Sequence, residues 1–233
     1  MMLLKQEKVY KMDNIWNKVF KEYNNISPHK ARKYQLSPVI DILSNSFKFD
    51  SVICVETGAS KDFVSDGAVG TLFANACNLT DGEFHSVDIE SKTVEKSKVL
   101  YNSLNLKANH YCEDSVKFLK ETQIIPNLVH LDSWDVNLKN PLPCALHGWR
   151  EFEAIESKMP LGSILIVDDN WFKGTWVEWT YPHKPNEKIN IDYPILGKGA
   201  LIWHFVESGE SNWEKLSNDI VGSNQKIVYK KIQ

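Results

Sequence analysis

Val52-Ile-Cys-Val-Glu-Thr-Gly-Ala-Ser60 is an apolar run that ends in an acid and turns on a glycine. One helix-length further on, Phe84-His-Ser-Val-Asp-Ile89 is a second short apolar run, and it closes on Asp88. A buried strand, a glycine turn, a helix and a second strand ending in a carboxylate make half of a nucleoside-binding site. The glycine lets the backbone approach a ligand, and the second carboxylate can accept both ribose hydroxyls. Two more acidic strand ends follow, Asp132 and Asp168-Asp169, which suggest a metal ion beside that nucleoside. The pattern reads as an enzyme with a bound nucleoside cofactor.

Outward from these stretches, apolar runs at 51–56, 84–88, 108–112, 127–132 and 163–168 alternate with helical spacing near 67–78, 91–104, 114–121 and 145–159. Such alternation predicts parallel strands with helices on both faces. Further strands at 200–207 and 226–231, separated by a helix near 211–220, complete a Rossmann-like, seven-stranded, mostly parallel α/β sheet. Upstream, Val9, Met12, Ile15, Trp16, Val19, Phe20 and Tyr23 recur at helical intervals until Ser27 to Lys33 interrupts them. Ser37-Pro38 starts a second helix through about Ser44, with the proline suited to a first turn. Residues 1–50 are thus expected to form a helical extension packed on one α/β domain spanning 51–233.

Hydrophobic residues make up 42% of the 233 and charged ones 24%, with a formal net charge of −3, so a general phosphate-binding surface is disfavoured. No nucleic-acid partner is expected. No apolar run approaches the roughly 18–20 residues that cross a bilayer, and Met1 to Leu4 before Lys5 is too short for a signal-peptide core. Cys54, Cys77, Cys112 and Cys144 lack CxxC spacing and read as reduced thiols of a cytoplasmic protein, with no membrane partner and no zinc site. A homo-oligomer is left open.

Ligands of open α/β sheets bind beyond the carboxyl ends of the strands, so the residues there are the candidates. The turn at Glu56, Gly58 and Ser60 is not GxGxxG, which points to a cofactor without phosphates. Ser65-Asp-Gly67 offers caps for the next helix or ligand contacts. Asp88 is read as a ribose ligand in preference to a cap for the helix from Ser91. Asp114 and Ser115 either cap a helix or bind an adenine amino group. Asp132, Asp168 and Asp169 would repel one another unless a cation neutralised them, and oxygen ligands suit Mg²⁺ or Ca²⁺. Their alternative role is as sheet-end caps, with Asp169 solvated. The aromatic stretch Trp171 to His183 either stacks on an acceptor or forms a satellite core, and His29 to Lys33 either reaches an anionic substrate or is a solvated face.

At these residues the chain resembles the class I S-adenosylmethionine-dependent methyltransferases. Val-Glu-Thr-Gly-Ala-Ser at 55–60 looks like their first motif, Ser-Val-Asp-Ile at 86–89 their second and Glu-Asp-Ser at 113–115 their third. The resemblance runs from about Ser51 to about Trp171. It implies methionine-moiety contacts near Glu56 and Gly58, ribose contacts by Asp88, and adenine contacts by Asp114 and Ser115. Leu-Asp-Ser-Trp at 131–134 and Val-Asp-Asp-Asn at 167–170 look like the metal motifs of catechol and antibiotic-sugar O-methyltransferases. That implies Asp132, Asp168 and Asp169 as Mg²⁺ ligands, or Asp169 and Asn170 if the match slides by one residue. The lysine that catechol enzymes carry three residues after the first ligand is Asp135 here, which favours the sugar type. The expectation is a metal-assisted O-methyltransferase acting on a small polyhydroxylated acceptor, a sugar or glycosylated metabolite, with Asp135 as first candidate base and His147 as second. A metal-independent methyltransferase and a non-catalytic nucleoside-binding protein of the same fold are the rivals.

Overall fold

The structure is a computed structural model that describes residues 15–28, 30–64, 67–179, 187–217 and 225–233. Strands β1 (Ile53–Thr57), β2 (Glu83–Asp88), β3 (Asn109–Cys112), β4 (Leu128–Leu131) and β5 (Ile164–Phe172) are the five apolar runs of the sequence. They pair in parallel in the order β3-β2-β1-β4-β5. After β3 at the edge the chain returns to the other side of β1, so β1 and β4 lie side by side, where the strand order reverses and ligands of such sheets bind.

Two helices, α1 (Ile15–Ile26) and α2 (Lys30–Ser46), precede the sheet; α3 (Val69–Leu79), α4 (Ser91–Ser103), α5 (Ser115–Glu121) and α6 (Leu142–Ile155) connect its strands. Period-two alternation sends successive residues of β5 to opposite faces. Ile164 and Ile166 pack with Trp16, Val19, Leu36, Leu43 and Phe73 of α1, α2 and α3. Leu165 and Val167 pack with Phe118, Leu119, Phe152 and Ile155 of α5 and α6. The N-terminal helices therefore share a core with the sheet. Each such side chain is fully buried, a stabilisation of about 1.5–3 kcal/mol relative to exposure. Residues 9–14 of the expected first helix, and Ser65-Asp66 before α3, lie outside the described residues.

The C-terminal third differs from the expectation. Residues 200–207, read as a strand, form helix α7 (Ala200–Glu207), and the expected helix near 211–220 begins instead with strand β9 (Trp213–Lys215). A short apolar run does not separate strand from helix by periodicity alone. Here Ile202 and Val206, one turn apart, are the buried pair, and Gly199 and Gly209 bracket the helix. The last strand, β10 (Gln225–Lys231), inserts antiparallel between β5 and β9, as its 226–231 run predicted. An eighth strand not expected, β8 (Ile195–Gly197), pairs with the end of β5, and a separate hairpin joins β6 (Trp176–Trp179) to β7 (Glu187–Asn190). Pro38 sits inside α2 rather than at its first turn, so the helix begins earlier than Ser37. Among the described residues no helix is long and apolar enough to cross a membrane.

Candidate active site at the ends of β1, β2, β4 and β5

The turn after β1 is shaped by close backbone packing. Gly58 has φ 80°, and a Cβ there would lie 2.5 Å from the Asp132 carbonyl oxygen, so only glycine fits between the ends of β1 and β4. Its N–H donates to the Val87 carbonyl at 2.9 Å, and the Ala59 N–H donates to Asp88 Oδ2 at 3.0 Å. Asp88 Oδ1 accepts from Glu90 N–H at 2.8 Å. Asp88 is therefore not the cap of α4; its carboxylate locks the β1 turn and retains further lone pairs at the strand end.

Glu56 is in the expected place but differently employed. It is fully buried and accepts from Ser60 Oγ at 3.2 Å, Ser86 Oγ at 3.3 Å and the Ser60 N–H at 3.3 Å. In the structure the Glu56 carboxylate holds the Ser60 turn. Ser60 Oγ in turn accepts from Gly70 N–H at 3.0 Å, tying the turn to the start of α3. His130 Nδ1 lies 3.4 Å from Glu56 Oε1. Burial pushes the Glu56 carboxyl up against the opposing pull of His130, and burial pushes His130 down.

After β3, Asp114 Oδ1 accepts from Lys117 N–H at 2.9 Å, so Asp114 caps α5, the alternative considered from sequence. Ser115 is buried, and its hydroxyl lies 3.2 Å from His147 Nε2. That same nitrogen is 3.3 Å from Glu151 Oε1, one turn along α6, and Glu151 accepts from Ser133 Oγ at 2.6 Å. Trp134 packs its ring against His147, tilted by 33° with centroids 5.0 Å apart, is 56% exposed, and has φ 63°, a strained conformation for a bulky residue. Asp135 follows it as an exposed loop residue. His147 is thus held by the Ser115 hydroxyl, with the Glu151 carboxylate beside the same nitrogen, a residue sequence reading passed over despite its i+4 spacing.

The carboxylates Asp132, Asp168 and Asp169 converge as expected. Asp168 and Asp169 both stand opposite Lys226, because the β5–β10 register shifts from Val167↔Ile227 to Asn170↔Gln225. This is a β-bulge, with Asp169 at φ 55°, and bulges of this kind re-aim side chains beside sites. Asn170 is not a ligand candidate: its amide donates to the Val167 and Asp168 carbonyls and accepts from Gly199 N–H at 2.7 Å. Burial pushes the Asp132 carboxyl up, Lys198 opposes it, and the neighbouring carboxylates Asp168 and Asp169 add to the rise.

What the sequence did not reveal is the source of positive charge. Lys198 Nζ, 3% exposed, lies 2.6 Å from Asp132 Oδ1 and 2.9 Å from Asp169 Oδ2; Lys226 Nζ bonds Asp168 Oδ2. Burial works to lower the Lys198 pKa, but Asp132, Asp169 and Asp168 outweigh it and hold it above the ordinary lysine range. His130, Asp132 and Asp168 each bring a donor atom within 4.8 Å of the others, a spacing a metal ion accepts. The charge does not fit one in this arrangement. Two ammonium groups already supply the neutralisation that sequence reasoning assigned to Mg²⁺. The clue was Gly197-Lys198-Gly199, where glycines let a lysine backbone pass within contact of β5 and α6.

Of the aromatic stretch, Trp171 and Val177 are buried with Val136, Cys144, Ile191 and Leu196 in a satellite core, while Trp176 is exposed. Residues 180–183 lie outside the described residues, as do His29 and the side chains of 30–33.

No protein-family sequence profile and no curated protein matches the chain. Solved structures do. An S-adenosylmethionine-dependent methyltransferase from Clostridium acetobutylicum superposes with a TM-score of 0.51 at 12% identity, covering 86% of this chain and 92% of that one. NSun6 from Pyrococcus horikoshii, solved with SFG, gives 0.53 at 14% identity over 79% of this chain and 49% of that one. An rRNA methylase from Streptococcus thermophilus gives 0.50 at 9% identity over 79% and 89%. At these identities the likeness is one of fold: the chain has the Rossmann-like fold of S-adenosylmethionine-dependent methyltransferases.

Proposed function

We propose that the chain is an S-adenosylmethionine-dependent methyltransferase that methylates a hydroxyl of a small polyhydroxylated acceptor, a sugar or glycosylated metabolite. The observation that supports the reading is Asp88, a carboxylate at the end of β2 that fixes the Gly58–Ser60 turn through Ala59 N–H and keeps lone pairs that can accept ribose hydroxyls. The net charge of −3 supports a small acceptor over a nucleic acid.

The chemistry needs an acceptor hydroxyl held in line with the sulfonium methyl and a base for its proton. With Nε2 engaged by the Ser115 hydroxyl at 3.2 Å and facing the Glu151 carboxylate at 3.3 Å, a His147 imidazole protonated on Nε2 keeps a lone pair on Nδ1, as an oriented base requires. The hydroxyl proton passes to His147, the oxygen forms its bond to the methyl carbon, and the carbon–sulfur bond breaks to leave S-adenosylhomocysteine. Asp135 is the second candidate base, and Trp134 supplies an aromatic face for the acceptor. A metal-assisted form of this reaction has to compete with Lys198 and Lys226 for the same carboxylate oxygens.

Calorimetric titration with S-adenosylmethionine and S-adenosylhomocysteine, with and without Mg²⁺, tests the reading. Micromolar binding supports it, and sugar acceptors can then be screened for methylation. Absence of binding by either ligand under both conditions removes the cofactor assignment. Tight binding with no turnover on any acceptor favours the non-catalytic alternative.

A further inference from the structure

The ammonium of Lys198 is surrounded by acceptors as a bound cation would be. Its three donors meet Asp132 Oδ1 at 2.6 Å, the Asp132 carbonyl at 3.0 Å and Asp169 Oδ2 at 2.9 Å. The backbone is built to deliver it there. A Cβ at Gly197 would lie 2.0 Å from the Asp169 carbonyl, one at Gly199 2.9 Å from Asn170 Oδ1, and one at Gly148 of α6 2.3 Å from the Lys198 carbonyl. Three glycines thus thread Lys198 between the β5 bulge and α6. Lys226, from the neighbouring strand, serves Asp168 in the same way. Lysine is a compact point charge with three donors, so two of them supply the charge of one divalent ion.

We propose that Lys198 is the built-in cation of this centre: with Lys226 it takes the place of a divalent metal, and it positions Asp132 and Asp169 without one. The inference rests on the methyltransferase reading only for what Asp132 and Asp169 face; the cation exchange itself stands on the geometry. Removing the ammonium leaves Asp132 and Asp169 facing the space it filled, with His130 and Asp168 grouped beside Asp132, an oxygen-rich set with one imidazole that accepts Mn²⁺ or Mg²⁺.

The test is Mn²⁺ titration of the full chain followed by electron paramagnetic resonance, on wild type, Lys198→Ala and Lys198→Ala/Asp132→Asn. Wild type is expected to leave Mn²⁺ free, Lys198→Ala to bind one ion, and the double variant to lose most of that binding. In parallel, Mg²⁺ should raise the unfolding temperature of Lys198→Ala by several degrees and leave wild type unmoved. Stoichiometric Mn²⁺ binding by wild type that Asp132→Asn abolishes overturns the proposal, and this arm holds even if Lys198→Ala fails to fold. A folded Lys198→Ala that takes up no Mn²⁺ overturns it too. Neither readout depends on turnover, so failure of the methyltransferase reading leaves a separate signature: no cofactor binding with the metal results unchanged.

Discussion

Glu56 lies directly beneath Gly70, the second residue of α3: a Cβ at position 70 would come within 2.3 Å of Glu56 Oε1 and 2.4 Å of Oε2. The Gly70 N–H reaches Ser60 Oγ, and Ser60 reaches Glu56, so strand end, turn and helix start form one closed hydrogen-bonded unit. The unit is buried, and its rigidity sets the shape of the turn at which the cofactor is proposed to bind.

Gly70→Ala should therefore destabilise the fold even though alanine is the better helix former. The helix preference gains about 1 kcal/mol, but a methyl pressed into a buried carboxylate costs roughly 1–3 kcal/mol in strain and displaced hydrogen bonds. Thermal unfolding by circular dichroism should show a fall of a few degrees, with weaker binding of S-adenosylhomocysteine. An unchanged midpoint would mean that α3 shifts freely and that the closed unit is not rigid.

Asp88→Ala removes the acceptor for both proposed ribose hydroxyls and the anchor of Ala59 N–H. Hydrogen bonds to a charged group contribute about 1.5–3 kcal/mol each, so calorimetry should show binding weakened roughly a hundredfold or more. Far-ultraviolet dichroism should show the fold retained. Affinity within threefold of wild type would take the ribose away from Asp88.

His147 and Asp135 differ in how firmly they are held, and kinetics can separate them. His147→Ala should lower kcat by about 10²–10⁴, the usual contribution of a positioned base, while Glu151→Gln, which leaves the ring but weakens its orientation, should cost less. Asp135→Asn, on an exposed loop residue, should alter kcat by less than tenfold. The reverse ranking would return the base to Asp135.

The central sheet was legible because its five parallel strands are short apolar runs ending in turn residues, and they pair in parallel in the structure. The C-terminal strand and helix were exchanged because Ala200-Leu-Ile-Trp-His-Phe-Val-Glu207 is apolar enough for either, and only the bracketing glycines favour a helix. At the site, every acidic strand end was visible, since acids at the close of apolar runs are conspicuous. Their partners were not. Lys198 is distant from Asp132 in sequence, and no local spacing announces a contact made through the β5 bulge and the antiparallel pairing of β8 with the end of β5. A row of polar groups on one sheet face, Ser86, Glu56 and His130, was hidden inside runs that read as uniformly buried strands.

Lys226 and Asp168 are both buried, so the pair should respond very differently to single and double substitution. Lys226→Met removes the ammonium that faces a buried carboxylate, a loss of about 3–5 kcal/mol, which in a chain of this size lowers the unfolding midpoint by roughly 10 °C. Adding Asp168→Asn removes the buried negative charge and should recover part of that loss. Strictly additive losses in the double variant would show that the two side chains do not interact.

Trp134 offers the sharpest contrast between stability and binding. Its φ of 63° costs about 1–2 kcal/mol for a side chain with a Cβ, and glycine adopts that angle freely. Against this, Trp134→Gly loses the ring packing against His147 worth about 0.5–1.5 kcal/mol and adds backbone freedom to the unfolded chain. The effects nearly cancel, so the variant should unfold within a few degrees of wild type although it lacks a tryptophan. Acceptor affinity should fall about tenfold, because an exposed ring held in a strained conformation beside an oriented histidine is of use to a ligand rather than to the core. A large drop in unfolding temperature with unchanged acceptor affinity would assign Trp134 to packing, and the acceptor wall would have to be sought at the exposed Trp176 instead.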